Sequence, residues 1–245
     1  MNRLLVPSSA LTEDVPELSQ ESRRHMKVWR LKDREPVELF DGAGHTRLYA
    51  YQAASQSLLA QEAAVTHPAP LGSLTLFACV TKGSRWDWTI EKATELGVTR
   101  IVPVLSERTI VRIDTPKDSA AKMGRWQKIV EEAARQSDAV YLPCVLAPVT
   151  FAESLPLVKE TTCLIGALTT PPPKGIATVA DELRRAALKP LDWAVFIGPE
   201  GDFTPAELDS LLAIAHPVSL GPRILRAETA AIFSLSILAA QRFQS

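Results

Sequence analysis

The sequence has 245 residues, which suits one large or two modest domains and is ample for a hydrophobic core. A formal net charge of -1 at pH 7 excludes a general electrostatic attraction to nucleic acid, so an RNA-binding surface would have to be a local group of basic side chains. The three cysteines, Cys79, Cys144 and Cys163, lack C-x-x-C spacing, and no apolar run approaches the roughly 18 residues of a membrane helix. Because the run MNRLLVPSSA is also too short for a signal peptide, we expect a soluble, cytoplasmic protein with reduced thiols.

The first part of the chain, to about residue 64, has mostly the pattern of β-strands. Residues 37–40 and 47–53 flank the turn residues 41–44 and predict a hairpin, which favours a small β-rich domain. Ahead of the hairpin, residues 23–34 are rich in basic side chains and contain a single acid, Asp33. The candidate RNA contacts in this run are Arg23, Arg24, Lys27 and Arg30. The alternative interpretation is a solvated helix face.

The clearest interruption of the pattern is residues 66–73, which contain two prolines and a glycine. We place a domain boundary there, between residues 1–70 and residues 74–245. Beyond it strands and helices alternate, which predicts an α/β domain with a parallel sheet covered by helices. The predicted strands are residues 74–80, 100–105, 162–168, 193–197 and 216–220. The predicted helices are residues 86–96, 120–137, 177–187, 205–215 and 227–243.

The predicted helix 120–137 has an apolar side and a basic side. Its apolar residues follow the i, i+3, i+4, i+7 spacing of a core-facing stripe and are Trp126, Ile129, Val130 and Ala133. The basic side, with Arg125, Lys128 and Arg135, is a candidate surface for RNA phosphates. A solvated face is the alternative, and Glu132 weakens the positive charge.

Two loops marked by glycine and proline follow predicted strands near the C-terminus. Residues 198–201 are predicted to form a type I turn, after which Thr204, Pro205 and Glu207 give a helix N-cap and capping box. The second loop, residues 221–226, leads from a strand into the last helix. In parallel α/β domains ligands bind outside the carboxyl ends of the strands, so the two loops predict a ligand pocket. A G-x-G-x-x-G dinucleotide fingerprint is absent from the sequence.

The same loops carry a family resemblance. The chain resembles the RsmE-type 16S rRNA (uracil-N3)-methyltransferases of the SPOUT class in the segments 197–201, 203–204, 219–221 and 223–230. Pro103 and the segments 91–98, 106–108, 132–133 and 136–137 also resemble that family. The resemblance implies a C-terminal α/β domain with a trefoil knot, S-adenosylmethionine (SAM) as cofactor, an N-terminal PUA-like RNA-binding domain and a homodimer. It also implies an enzyme that methylates N3 of a uridine in 16S rRNA, with the small ribosomal subunit as partner.

This resemblance and the two loops assign a set of site residues. The expected cofactor-binding residues are Gly166, Leu168, Gly198, Glu200, Gly201, Leu220, Gly221, Ile224, Leu225, Arg226, Thr229 and Ala230. We expect Arg226 to be catalytic by stabilising the uracil anion, with a salt bridge to Glu228 or another acid as the alternative. Glu200 is a candidate base, and the stronger alternative is a turn acid that binds local N–H groups. Asp202 stands where the family commonly has glycine, and Asp138-Ala139 where it tends to have arginine.

Other functions and the quaternary structure can be weighed from the same residues. The rivals are a non-catalytic RNA-binding module with the same fold and an α/β enzyme that uses another nucleotide. A metal site is not expected because His25, His45, His67 and His216 lack ligand-spaced partners, and a G-x-S-x-G nucleophile motif is absent. Residues 227–243 are apolar almost all round a helix, which favours cover by a second copy of the chain. We expect arginine at Leu235 or Leu238 to give either monomers that bind cofactor poorly or an insoluble chain. Burial of the helix within one subunit is the alternative to the dimer.

Overall fold

The computed structural model of the protein describes residues 1–167 and 171–242. The chain forms two compact units. The first unit contains residues 1–69 and 134–142, and the second contains residues 70–133 and 143–245. Among the described residues no helix is both long enough and apolar enough to cross a membrane.

The first unit is a five-stranded sheet with one helix. Its elements are β1 (Asn2–Leu5), α1 (Gln20–Trp29), β2 (Pro36–Phe40), β3 (His45–Gln52), β4 (Ser57–Ala60) and β5 (Val65–Thr66), with a 3₁₀ turn at Ser8–Thr12. The strand order is β1-β2-β3-β4, with β5 also paired to β3. β1 and β2 are parallel and the other pairs are antiparallel. The predicted hairpin is therefore present as β2 and β3.

Residues 134–142 return to this unit from a distant part of the sequence. Arg3 is only 3% exposed and donates to the carbonyl oxygens of Ala134 at 3.1 Å and Ala139 at 3.2 Å. Its guanidinium also pairs with Glu38 at 2.5 Å and lies over the Phe40 ring. A buried guanidinium must have partners, so this contact fixes the returning segment. The sequence pattern gave no sign of it.

The second unit contains a seven-stranded parallel sheet with helices. Its elements are β6 (Leu74–Cys79), α2 (Ser84–Glu95), β7 (Arg100–Leu105), α3 (Pro116–Gln136, whose last turn belongs to the first unit), β8 (Cys144–Val145), β9 (Val149–Thr150), α4 (Phe151–Ser154), β10 (Thr162–Gly166), α5 (Ile176–Ala186), β11 (Trp193–Ile197), α6 (Pro205–Leu212), β12 (His216–Val218) and α7 (Ala227–Arg242). A 3₁₀ turn at Leu155–Val158 follows α4.

The strands of this sheet lie in the order β12-β10-β11-β6-β7-β8, with β9 also paired to β7. Every pair is parallel, which confirms the predicted α/β architecture. The central strands β6 and β11 are buried along their whole length, as a parallel sheet covered on both faces requires. Helix α6 ends at Leu212, short of the predicted residue 215, and the N–H of Ile214 donates to the carbonyl of Leu211 only three residues back, which tightens the end of the helix.

Helix α7 corrects one expectation. Leu235 and Leu238 are fully buried within the chain, where α7 packs against α2, α5, β6 and β11. They cannot belong to a face covered by a second subunit, so of the two predicted outcomes for arginine at these positions the burial favours an insoluble chain over a monomer. Cover within one subunit explains most of the apolar surface of this helix. The exposed residues of α7 lie along one stripe and are Thr229, Phe233, Ser236 and Ala240.

Candidate active site

A cavity of about 480 Å³ lies in the second unit at the carboxyl ends of β10, β11 and β12. These strands are neighbours: Ile165 of β10 pairs with Phe196 of β11, and Gly166 pairs with Val218 of β12. The segments after the strands therefore converge on one edge of the sheet. A cavity of this size can bury a small organic ligand or cofactor.

Two glycines in the cavity wall, Gly166 and Gly198, allow neighbouring side chains to approach the backbone closely. A Cβ at Gly166 would lie 3.0 Å from the Leu220 side chain, and a Cβ at Gly198 would lie 3.2 Å from the Asp202 carboxylate and 3.3 Å from the Phe203 ring. These distances are shorter than ordinary carbon contacts. A larger residue at either position would therefore push the second or the first loop out of place.

The turn in the first loop lies one residue later than predicted. The N–H of Asp202 donates to the carbonyl of Pro199 at 2.9 Å, so the turn spans residues 199–202 rather than 198–201. Asp202 has a φ of 59°, in the left-handed region, and its carboxylate accepts a bond from the N–H of Phe203 at 2.8 Å. Aspartate is one of the few residues besides glycine that tolerates this conformation, which explains how it can replace glycine here.

The next helix is fixed as predicted. Thr204 caps α6, and its hydroxyl and backbone exchange hydrogen bonds with Glu207 in a complete capping box. The Glu207 carboxylate is almost buried and also accepts a bond from the backbone N–H of Glu107 at 2.9 Å. This second bond ties the start of α6 to the segment after β7, and it was not predicted.

Two arginines from other elements hold the first loop. Arg108 donates to the carbonyl oxygens of Gly201 at 2.8 Å and Phe203 at 3.4 Å. Arg85, in the first turn of α2, forms an ion pair with Glu200 at 3.0 Å. Glu200 was predicted to be a base or a turn acid that binds local N–H groups, and the structure gives it a distant cation instead. A carboxylate engaged by a guanidinium is a poor candidate for a base.

The second loop ends in Arg226 at the start of α7. Gly221 has a φ of 112°, which an L-residue with a side chain rarely adopts, and its N–H donates to the Ser219 hydroxyl at 3.2 Å. Arg226 is exposed, lines the cavity, and forms no ion pair with any residue that the structure describes. The alternative of a salt bridge to Glu228 is therefore wrong: one carboxylate oxygen of Glu228 is buried without a hydrogen-bond partner among the described residues.

The structure brings most of the expected cofactor-binding residues to this cavity. Those that line it are Gly166, Gly198, Glu200, Gly201, Leu220, Gly221, Ile224, Leu225, Arg226 and Ala230. Thr229 is exposed on α7 and is not part of the lining, and Leu168 lies outside the described residues. Lining residues that the sequence analysis did not assign include Ala167, Phe196, Asp202, Ser219, Arg223 and Ala227.

The expected RNA-binding residues are divided between the two units. In the first unit, Arg23, Arg24, Lys27 and Arg30 are exposed on α1 and at its C-terminal cap. In the second unit, Lys128 is exposed and Arg125 forms an ion pair with Asp87 of α2. Arg135 is half-buried in the part of α3 that belongs to the first unit. The Asp87 pair was not predicted, and it neutralises part of the basic side of α3.

The thiols and potential metal ligands do not form a second reactive centre. Burial raises the pKa of the Cys79 thiol to about 11 and that of the Cys163 thiol to about 12. Both cysteines therefore behave as small apolar residues at neutral pH. Cys144 is exposed. Within residues 1–167 and 171–242, no group of three or more histidine, cysteine or acidic side chains could hold a metal ion.

A ligand cavity at the carboxyl edge of a parallel sheet places the second unit in the class of α/β domains that bind a small cofactor. Comparison with known proteins identifies the family within this class. Residues 67–239 match the family model described as an RNA methyltransferase domain. Ribosomal RNA small subunit methyltransferase E of Synechocystis sp. is 34% identical over 243 residues, covering 96% of this chain and 76% of that protein. The chain belongs to the ribosomal RNA small subunit methyltransferase E family, which confirms the resemblance found in the sequence.

Two solved structures share the fold over nearly the whole chain. Ribosomal RNA small subunit methyltransferase E from Neisseria gonorrhoeae, bound to S-adenosyl methionine, is 30% identical with a TM-score of 0.79, and the match covers 96% of this chain and 95% of that one. The Legionella pneumophila protein Lpg2936, in complex with the cofactor SAM, is 29% identical with a TM-score of 0.82, covering 97% and 96%.

Proposed function

We propose that the protein is an SAM-dependent enzyme that methylates N3 of a uridine in the 16S rRNA of the small ribosomal subunit. The observation that carries the proposal is the cavity at the ends of β10, β11 and β12 in a chain of this family. The two relatives with bound SAM support the choice of cofactor. SAM supplies a methyl group on a positively charged sulfur, and transfer requires donor and acceptor to be held in line.

The cofactor would be held mainly by backbone groups. Gly166, Gly198, Gly221 and Leu225 line the cavity, and the three glycines have no side chain between their backbone and a ligand. Backbone N–H and carbonyl groups recognise a polar ligand without a large side chain between them. The apolar side chains Ile224 and Leu225 add contact surface from the second loop.

Arg226 is the residue best placed to assist the chemistry. Uracil N3 carries a proton at neutral pH, and this proton must leave for solvent as the N–CH₃ bond forms and the S–CH₃ bond breaks. A guanidinium next to the ring stabilises the negative charge that the base develops. Arg226 lines the cavity, is exposed, and has no ion-pair partner among the described residues, so its charge is available to a substrate.

Arg226→Gln tests this role against a matched variant, Arg223→Gln, which changes another arginine of the same cavity lining. With labelled SAM and small-subunit RNA, we expect Arg226→Gln to lower kcat by roughly 100-fold with little change in the Kd for SAM. Arg223→Gln should retain most of the activity. Mass mapping of the product should place the methyl group on N3 of uridine. A wild-type protein that binds RNA and SAM without turnover would favour the non-catalytic module instead.

The first unit is proposed to be a PUA-like RNA-binding domain. Support comes from α1, whose basic side chains are exposed and so place positive charge on the surface. Neutralising phosphates with such residues makes binding strongly dependent on salt. The double variant Arg24→Ala and Lys27→Ala should weaken binding to 16S rRNA. It should also reduce the salt slope, which is the slope of log K for RNA binding against log salt concentration, by about 2. Lys159→Ala, which removes an exposed charge from the second unit, should leave the slope unchanged.

The trefoil knot is also proposed. The path of the chain after β12 supports it. Strand β12 lies at one edge of the sheet, and from there the chain leads to α7, which packs on the inner strands β11 and β6. The second loop makes this passage across the end of β10, where Leu220 packs at Gly166.

A homodimer and a cytoplasmic location complete the proposal. The exposed side of α7 presents Phe233, which is 41% exposed, and the second loop presents Ile224, which is 87% exposed. Exposed apolar groups of this kind are suited to a symmetric interface. Phe233→Arg should give a folded monomer, whereas wild type should scatter light as a dimer at micromolar concentration. A monomeric wild type would exclude the dimer. The rRNA substrate implies the cytoplasm.

A further inference from the structure

A second cavity, which we call the α2 cavity, has a volume of about 470 Å³ and lies at the carboxyl end of β6. It is lined by the β6–α2 loop, the first turn of α2, residues 110–111 and one side of α3. β6 pairs in parallel with β11, with Ala78 opposite Ile197. This cavity therefore lies at the carboxyl ends of the strands, as does the cavity at β10, β11 and β12, which we call the cofactor pocket. Arg85 of α2 connects the two sites through its ion pair with Glu200.

The α2 cavity has an excess of positive charge. Its charged lining residues are Lys82, Asp87, Lys122 and Arg125. Arg125 and Asp87 form an ion pair, which leaves the two lysines. Lys82 is exposed and Lys122 half-buried, and neither forms an ion pair with any residue in the described part of the chain. The cavity therefore offers two uncompensated ammonium groups to an anion.

Hydrogen-bond donors in the wall add to this charge. Helix α2 has 12 residues, and Gly83 at its N-cap provides no side-chain bond to the first-turn N–H groups. Such N–H groups and the helix dipole favour an anion. The Thr81 hydroxyl and the Trp86 indole nitrogen are also buried, in residues only 4% and 2% exposed, without a partner among the described residues. Buried polar groups normally have partners, so unpaired ones in the wall of a cationic cavity point to a ligand rich in acceptors.

We infer that the α2 cavity binds a phosphodiester of the RNA substrate close to the uridine that is methylated. A phosphate carries the negative charge that would pair with the two lysines. Its oxygen atoms would accept hydrogen bonds from the donors in the cavity wall. Ile110, which is 67% exposed at the cavity, gives an apolar surface for the neighbouring sugar or base. The inference rests on the proposed function, and it adds Lys82 and Lys122 to the RNA-contacting residues.

The test compares Lys82→Gln and the double variant Lys82→Gln and Lys122→Gln with Lys159→Gln in the full-length protein. Lys159 is an exposed lysine ahead of β10, at the opposite edge of the sheet, so its variant removes the same charge elsewhere. Losing one phosphate contact should weaken binding to small-subunit RNA about fivefold and reduce the salt slope by about 0.7 to 0.9. The double variant removes both lysines from this single phosphodiester, so it should weaken binding further than Lys82→Gln, while its salt slope falls by no more than about 0.9 in total. The Kd for SAM should stay unchanged in every variant.

The outcomes separate this inference from the function on which it rests. If wild type methylates small-subunit RNA but both lysine variants keep its RNA affinity and salt slope, the α2 cavity is not a phosphate site and the proposed function stands. An equal effect of Lys159→Gln would also overturn the inference, because the charge would then act without a specific site. If wild type neither binds nor methylates small-subunit RNA, the proposed function and the inference both fail.

Discussion

Replacing Arg108 by alanine tests how the first loop of the cofactor pocket is held. The guanidinium of Arg108 donates to the carbonyls of Gly201 at 2.8 Å and Phe203 at 3.4 Å, and its stem lies 3.6 Å from the position of a Cβ on Gly201. The second bond is long and the side chain is exposed, so together these contacts stabilise the loop by about 1 kcal/mol. Because the loop lines the cavity, we expect Arg108→Ala to raise the Kd for SAM about fivefold.

Isothermal calorimetry with SAM measures this change directly. Arg112→Ala is the matched control, since Arg112 is an exposed arginine on the same connection between β7 and α3 and contacts no residue of the cofactor pocket in the described structure. The thermal midpoint of Arg108→Ala should fall by only about 2–4 °C, because the lost energy is small for a chain of this size. A Kd within twofold of wild type would refute the role of Arg108 in positioning the loop.

Three further predictions concern stability and thiol chemistry. Leu235→Ala should lower the free energy of unfolding by about 3 kcal/mol in a denaturant titration, because Leu235 is fully buried, and an unchanged midpoint would contradict that burial. Burial raises the pKa of Cys79 to about 11 and of Cys163 to about 12, so both thiols stay protonated at pH 8. A thiol reagent should then label Cys144 quickly and the other two after denaturation; a second fast thiol would refute this. Asp202→Ala should cost about 1 kcal/mol because of its positive φ, whereas Asp202→Gly should be neutral or stabilising.

The alternation of apolar runs and helical patterns was sufficient to predict the parallel sheet. The run Trp193–Ile197 is a buried strand, and the capping box at Thr204 is present, because both depend on residues close in sequence. The family motifs then pointed to the loops that meet at the cavity. The turn after Gly198 was misplaced by one residue because glycine and proline mark the presence of a turn, whereas the closing bond is the one from the N–H of Asp202 to the carbonyl of Pro199.

The contacts that the sequence did not predict join residues far apart in the chain. Arg85 with Glu200, Arg108 with Gly201, and Glu107 with Glu207 each cross more than one element of the fold. Local periodicity contains no information about such pairs. For the same reason, periodicity showed that α7 is apolar nearly all round, and it could not show that other parts of the same chain cover Leu235.

The return of residues 134–142 to the first unit has a consequence for synthesis on the ribosome. The buried Arg3 needs carbonyl partners at Ala134 and Ala139, which are made long after the sheet of β1–β5 has left the exit tunnel. At roughly 5–20 residues per second, the nascent N-terminal unit must wait on the order of several seconds in an incomplete state. A fragment cut after residue 69 would lack both carbonyl partners permanently, and its Arg3 would keep only the contacts with Glu38 and Phe40. The first unit is therefore complete only after residues 70–133 of the second unit have been made.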